Sequence, residues 1–159
     1  MTAPVASPIE RFVPQDPGFA ARVRASFDRQ RAMRLIGASL ASVEPGFCEI
    51  HLPWREDLTQ QKGYVHGGVI GMIADSACGY AAYTLMPASA SLVTVEYKIN
   101  LVAPAREGLL VARGEVVKPG RTLSITSGEV YVRHAGRSVL VAAMQQTLMM
   151  LPDTPDTPE

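Results

Sequence analysis

Between Val69 and Thr84 the chain is apolar on every side of any helix drawn through it, interrupted only by Asp75, Ser76 and the closing Thr84. A helix without a polar face is a buried one. The polar, loop-like stretch Gln60–His66 and the pair Gly67-Gly68 stand before it, so the pattern predicts a central helix over 67–85. Its small residues, among them Gly71, Ala74, Ala77 and Gly79, allow other backbone to come close.

On either side of this helix the period falls to two. Leu35–Val43 and Cys48–Pro53 flank the turn signal Glu44-Pro45-Gly46 and read as a strand pair. Ser91–Val102 alternates, with Val93, Val95, Tyr97, Ile99 and Leu101 on one side and Thr94, Glu96, Lys98 and Asn100 on the other. Leu109–Lys118 and Thr122–Arg133 join through Pro119-Gly120, and His134-Ala135-Gly136 turns into Ser138–Met149. Upstream, Phe19, Val23 and Phe27 recur at four-residue spacing behind Asp16 as N-cap and Pro17 as first helical residue. That predicts a short amphipathic helix within 16–33, with Arg22, Arg24 and Arg29 on a solvated face.

The order is helix, two strands, buried helix, then four strands whose short turns favour an antiparallel meander. An antiparallel sheet wrapped around one long buried helix, with a short N-terminal helix, meets each burial demand and defines an α+β fold. Residues 1–15, with Pro4, Pro8 and Pro14, read as a flexible arm; 16–151 form the single domain; 152–159, P-D-T-P-D-T-P-E, read as a disordered tail.

Composition narrows the partners. The net charge is zero and no basic block occurs, so neither nucleic acid nor an anionic membrane is an expected partner. The N-terminus lacks the apolar core of a signal peptide, and Asp75 interrupts the only long apolar run, which points to a soluble cytoplasmic protein. Cys48 and Cys78 lack metal-ligand spacing and read as buried free thiols of a reducing compartment; no metal or other cofactor is expected.

The chemistry begins at Asp75. A carboxylate inside an apolar helix needs a partner, a shifted equilibrium or a catalytic task. His66-Gly67-Gly68, an acid nine positions after the histidine, and the strand V-T-V-E-Y-K-I-N-L-V-A-P together resemble the hotdog-fold thioesterases. The similarity covers about residues 35–150, and the nearest branch is that of the phenylacetate-degradation and 4-hydroxybenzoyl-CoA thioesterases.

The resemblance implies hydrolysis of acyl-CoA thioesters without a metal, by homodimers or dimers of dimers with sites between subunits. It makes Asp75 the general base or nucleophile and Gly67 the donor of the backbone N–H that polarises the thioester carbonyl. It sets Gln60 and Thr94 near the attacking water and Gly68 and Val95 against the substrate. The branch that uses Glu on the helix carries a hydroxyl one turn later; here Gly79 stands there, so the version with Asp and a strand hydroxyl fits.

The residues support the same roles. A helix N-terminus presents unpaired N–H groups and a positive dipole end, which suits a developing oxyanion. Asp75 lies eight residues beyond Gly67, about 12 Å along a helix. One chain cannot bring both to one carbon, whereas two antiparallel helices across a two-fold axis can.

Each residue also has a plainer reading. His66 reads first as a helix-start residue that fixes its loop, with a general base as the alternative. Asp75 and Thr94 could serve structure, and Gln60 could be an ordinary loop residue. Lys118 and Arg121 flank the Pro-Gly turn, where they suit CoA phosphates or plain solvation; His51 and His134 read as surface residues. The alternatives at the level of function are a hotdog hydratase or dehydratase and a non-catalytic acyl-CoA binder.

Overall fold

The computed structural model describes residues 12–154 together with 156 and 157. Most of the arm expected over 1–15 and positions 155, 158 and 159 of the tail lie outside the described residues. The elements are α1 Phe19–Arg29, α2 Arg31–Ile36, β1 Ser39–Glu44, β2 Phe47–Pro53, a single 3-10 turn Glu56–Leu58, α3 Gly67–Tyr83, β3 Ser91–Leu101, β4 Leu109–Lys118, β5 Leu123–His134 and β6 Arg137–Leu151. One six-stranded sheet has the order β1-β2-β4-β5-β6-β3, antiparallel at each pairing. No helix of the described residues is long and apolar enough to cross a membrane.

Helix α3 crosses one face of this sheet, and Ile50, Leu52, Ile73, Leu110, Val130, Val141 and Leu148, each without measurable exposure, fill the space between them. The approach is closest at Ala77 and Cys78. A Cβ on Gly114 of β4 would stand 2.4 Å from the Ala77 carbonyl, and one on Gly128 of β5 would stand 2.7 Å from the Cys78 sulfur. Bare glycine on the strands therefore lets the helix lie directly on the sheet.

The four final strands are not one meander. β4, β5 and β6 run consecutively, but β3 pairs with β6 at the sheet's far edge and β4 pairs with β2. The 102–108 segment makes this crossing possible. It is too long for a tight hairpin, and it is anchored where Val65 N–H donates to Ala105 O at 2.9 Å, beside the start of α3.

The N-terminal helix departs from the expected single span in three ways. Asp16 is not its cap: Oδ1 accepts from Gly18 N–H at 2.8 Å in a turn, and the helix begins at Phe19. The chain then breaks at Gln30, extended at ψ 96°, and resumes as α2. Leu35 and Ile36 close that second helix rather than open a strand, because Met33 and Ile36, one turn apart, both face the core. Gly37 at φ +79° terminates it, a left-handed conformation that suits glycine.

Arg22 is not on a solvated face. Its guanidinium donates to Tyr83 O, Met86 O and Pro87 O at 3.2, 2.8 and 3.0 Å, and so ties the C-terminal end of α3 to the turn that follows it. Asp16 holds it from the other side at 2.8 Å from Nε, off the N–H direction and so an ion pair rather than a hydrogen bond. Phe27 and Tyr80 meet tilted at 59°, with 5.8 Å between ring centroids, and Ser26 Oγ lies 3.1 Å from the Tyr80 hydroxyl. The described ends also make defined contacts. Phe12 packs on the core, Gln15 Nε2 donates to Leu85 O, and Arg29 pairs with Asp156 of the tail at 2.9 Å.

Candidate active site

Asp75 sits half-buried in the middle of α3. Its Oδ1 accepts hydrogen bonds from Thr94 Oγ1 at 2.8 Å and from Gln146 Nε2 at 2.6 Å. The structure thus joins the carboxylate expected from the helix to the hydroxyl expected from the strand. It adds a third member that the sequence reading missed. Gln146 is 1% exposed, and its Nε2 also lies 2.9 Å from Thr94 Oγ1. A faint signal existed: Gln145-Gln146-Thr147 interrupts the apolar run of β6, and Gln146 shares its parity with buried Met144 and Leu148.

Thr94 reaches Asp75 because β3 does not keep its alternation. Thr94 pairs with Leu148 and Glu96 with Thr147, which leaves Val95 as the extra residue of a bulge. Before the bulge Leu92 and Thr94 face the helix; after it Tyr97 and Leu101 do. Leu92, Tyr97 and Leu101 lie against Gly79, Gly71 and Gly67 respectively. The expected division, with Thr94 opposite Tyr97, Ile99 and Leu101, is therefore wrong. The bulge residue Val95 is 54% exposed.

The other half of the expected site lies at the start of α3. His66 is the N-cap residue, and its Nδ1 accepts from Gly68 N–H at 2.9 Å. This places the ring proton on Nε2 when the imidazole is neutral. It also removes Gly68 as a donor to substrate and leaves Gly67 N–H with no acceptor among the described residues. Gln60 belongs to the same loop, but its Oε1 is turned back to accept from Lys62 N–H, and its backbone N–H donates to Tyr64 O at 2.8 Å. Arg106 stacks over Tyr64 at 4.3 Å and bonds its hydroxyl, a cation beside this loop that the sequence pattern did not single out.

Within one chain the two halves stay apart, separated by two turns of α3. A cavity of about 860 Å³ opens on the Asp75 half, lined by Asp75, Ser76, Thr94 and Tyr83 and by Arg31 and Arg34 of α2. Ser76 Oγ points to Gln30 Oε1 at 3.4 Å, at the break between the first two helices. Lys118 and Arg121 are outside this cavity. Val116 N–H donates to Gly46 O and Gly46 N–H to Thr84 Oγ1, so the hairpin that carries them lies by the C-terminal end of α3. His51 is half-buried rather than on the surface, 2.6 Å from Glu49, while His134 is exposed in its turn.

The polar trio has a cost. Gln146 Oε1 is shut from solvent without a partner, and a buried unsatisfied acceptor costs about 1–3 kcal/mol. The two cysteines take no part. Both are free and buried, and burial pushes the Cys48 thiol far above its ordinary range and that of Cys78 up to about 12. No cluster of three or more metal-ligating side chains occurs among the described residues.

The sequence profile of the thioesterase superfamily matches residues 62–139, which span the loop, α3, the bulged strand and the two strands after it. A thioesterase family protein from Silicibacter pomeroyi is 43% identical and superposes with a TM-score of 0.83 over 85% of this chain and 99% of its own. The 1,4-dihydroxy-2-naphthoyl-CoA hydrolase of Listeria monocytogenes is 29% identical over 90 residues, 57% of this chain and 73% of that enzyme. The E. coli PaaI protein of the phenylacetic acid degradation operon, 18% identical, shares the fold with a TM-score of 0.77 over 86% of this chain and 95% of its own. The chain belongs to the thioesterase superfamily. Its sheet wrapped on one helix is the hotdog fold, and it is a thioester hydrolase.

Proposed function

We propose that the protein hydrolyses an aryl- or fatty-acyl-CoA thioester to the free acid and CoA at sites shared between two copies of the chain. Asp75, with Thr94, faces the cavity that would take the acyl group; the free N–H of Gly67 from the other copy would polarise the carbonyl. Water adds to the carbonyl carbon after losing a proton to Asp75, or Asp75 adds first and water opens the anhydride. In either route the C–S bond breaks and the CoA thiolate leaves with a proton.

The observation that carries this reading is the carboxylate of Asp75, half-buried in an apolar helix and aligned by two donors. Assembly is supported by β3. It is an edge strand, yet Val93, Val95, Tyr97 and Leu101 along it are between 42% and 54% exposed. A long apolar edge is a template for pairing with another chain. A second copy paired there, its helix antiparallel to the first, would bring the start of one α3 to the middle of the other.

The deciding experiment measures release of free thiol from a panel of aryl- and fatty-acyl-CoA substrates by the wild type and Asp75→Asn. The variant keeps the side chain's volume and removes only the charge, so its thermal midpoint should equal or exceed that of the wild type. Turnover should fall at least ~10²-fold, the scale for loss of a general base. Wild-type turnover in the variant, or no thiol release by the wild type from any member of the panel, overturns the proposal.

A further inference from the structure

Gln146 is buried on β6 with its amide split between two fates. Nε2 meets Asp75 Oδ1 at 2.6 Å and Thr94 Oγ1 at 2.9 Å, while Oε1 has no partner and no solvent. For packing alone, Leu or Met at this position would avoid an orphaned carbonyl. An uncompensated polar group beside a functional carboxylate directs attention to what its other end does. Thr94 has a single hydroxyl proton, and its bond to Asp75 Oδ1 at 2.8 Å uses it; Gln146 Nε2 then donates to a lone pair on Thr94 Oγ1 as well as to Asp75 Oδ1. Oδ1 thus receives two donors. Oδ2 receives none among the described residues.

We propose that Gln146 is a positioning residue that, with Thr94, holds Asp75 by Oδ1 and leaves Oδ2 as the oxygen that takes the proton from water or attacks the thioester carbon. This rests on the reading of Asp75 as the reacting carboxylate. A carboxylate oxygen engaged by two donors is a poor acceptor for a third proton, whereas its free twin keeps its lone pairs for the reaction. The rotamer of Asp75 is also fixed from two different strands, β3 and β6, so the free oxygen has one direction. Thr94 in this arrangement orients the carboxylate, since its proton is already committed.

The test compares Gln146→Met, Gln146→Glu, Asp75→Asn and the double variant Asp75→Asn/Gln146→Met, with kinetics and thermal midpoints on the same preparations. Gln146→Met should melt at or above the wild type, because the orphaned carbonyl is gone, while kcat falls about tenfold or more and KM stays within about twofold. A residue that served only packing would not separate kcat from KM in this way. The double variant should be no slower than Asp75→Asn, since Gln146 acts through the carboxylate alone. Gln146→Glu, which replaces the donor with a second acid of equal length, should lose at least as much as Gln146→Met.

Wild-type kcat in Gln146→Met beside an inactive Asp75→Asn overturns the role of Gln146 and leaves that of Asp75 standing. An active Asp75→Asn overturns the underlying reading of the carboxylate. Additive losses in the double variant also sink the proposal, because they put the effect of Gln146 elsewhere. Should Gln146→Met fail to fold, Gln146→Glu decides: wild-type kcat in it contradicts a need for the amide donor, and a loss at unchanged KM supports that need.

Discussion

Thr94 Oγ1 donates to Asp75 Oδ1 at 2.8 Å across a strand–helix contact, directly before the bulge that takes Val95 out of register with β6. The hydroxyl is exposed enough for a substitution to leave the core alone. Thr94→Val keeps the shape and removes the donor, so kcat should fall about tenfold, equivalent to ~1.4 kcal/mol of transition-state stabilisation. KM and the thermal midpoint should hardly move. An unchanged kcat would return Thr94 to a structural role.

At the other half of the site, Gly67 is the position where a side chain intrudes. A Cβ there would stand 2.7 Å from Leu101 Cδ1, a side chain 54% exposed and free to swing. Gly67→Ala should therefore fold and assemble while its methyl crowds the approach of a carbonyl to the adjacent N–H. Expected is a loss of kcat/KM of about tenfold or more with unchanged mass in light scattering. Full activity would move the carbonyl site elsewhere.

The exposed apolar edge of β3 gives the assembly test. Tyr97 is 48% exposed near the middle of that strand, and a charge there opposes pairing with a second copy without removing a buried group. Tyr97→Glu should shift light scattering toward the monomer and abolish turnover in the same samples. An active monomer would contradict a site built from two chains.

Arg22 predicts a stability effect separate from catalysis. It bonds three carbonyls at and just beyond the C-terminal end of α3, and hydrogen bonds from a charged donor at a helix end contribute about 1.5–3 kcal/mol. Arg22→Met keeps much of the aliphatic stem and loses the caps. Its thermal midpoint should drop by roughly 4–8 °C, with kcat within twofold of the wild type. A midpoint equal to wild type would mean that solvent caps the helix as well as Arg22 does.

Both thiols should be silent in the folded protein. Cys48 and Cys78 have no exposure, and burial raises both well above the range in which a thiolate forms near neutral pH. An aromatic disulfide reagent at pH 8 should release no chromophore until denaturant is added, and then titrate both. Rapid reaction of either thiol in the native state would show that α3 lifts from the sheet.

The sequence alone determined the central helix, because an apolar run with no polar face has only the interior to occupy. It determined most of the strand spans too; β4 runs over Leu109–Lys118 as its pattern reads. It marked Asp75 as out of place and the His66-Gly67-Gly68 start as open backbone, both local facts of composition. Partners were another matter. Period two says which residues share a face and nothing about which strand lies alongside, so the pairing of β3 with β6 and of β2 with β4 was left to the crossing at 102–108. The bulge at Val95 leaves no mark in an unbroken alternation; it arises from the register with β6, and it puts Thr94 on the same side of the strand as Tyr97 and Leu101. Gln146 is 71 residues from Asp75 in sequence, and Arg22 reads as one more surface cation on an amphipathic helix. Only the packing of α1 on α3 and of β6 behind β3 gave those two side chains their partners. Hydrogen bonds across such separations depend on where whole elements come to rest, which no short window of residues encodes.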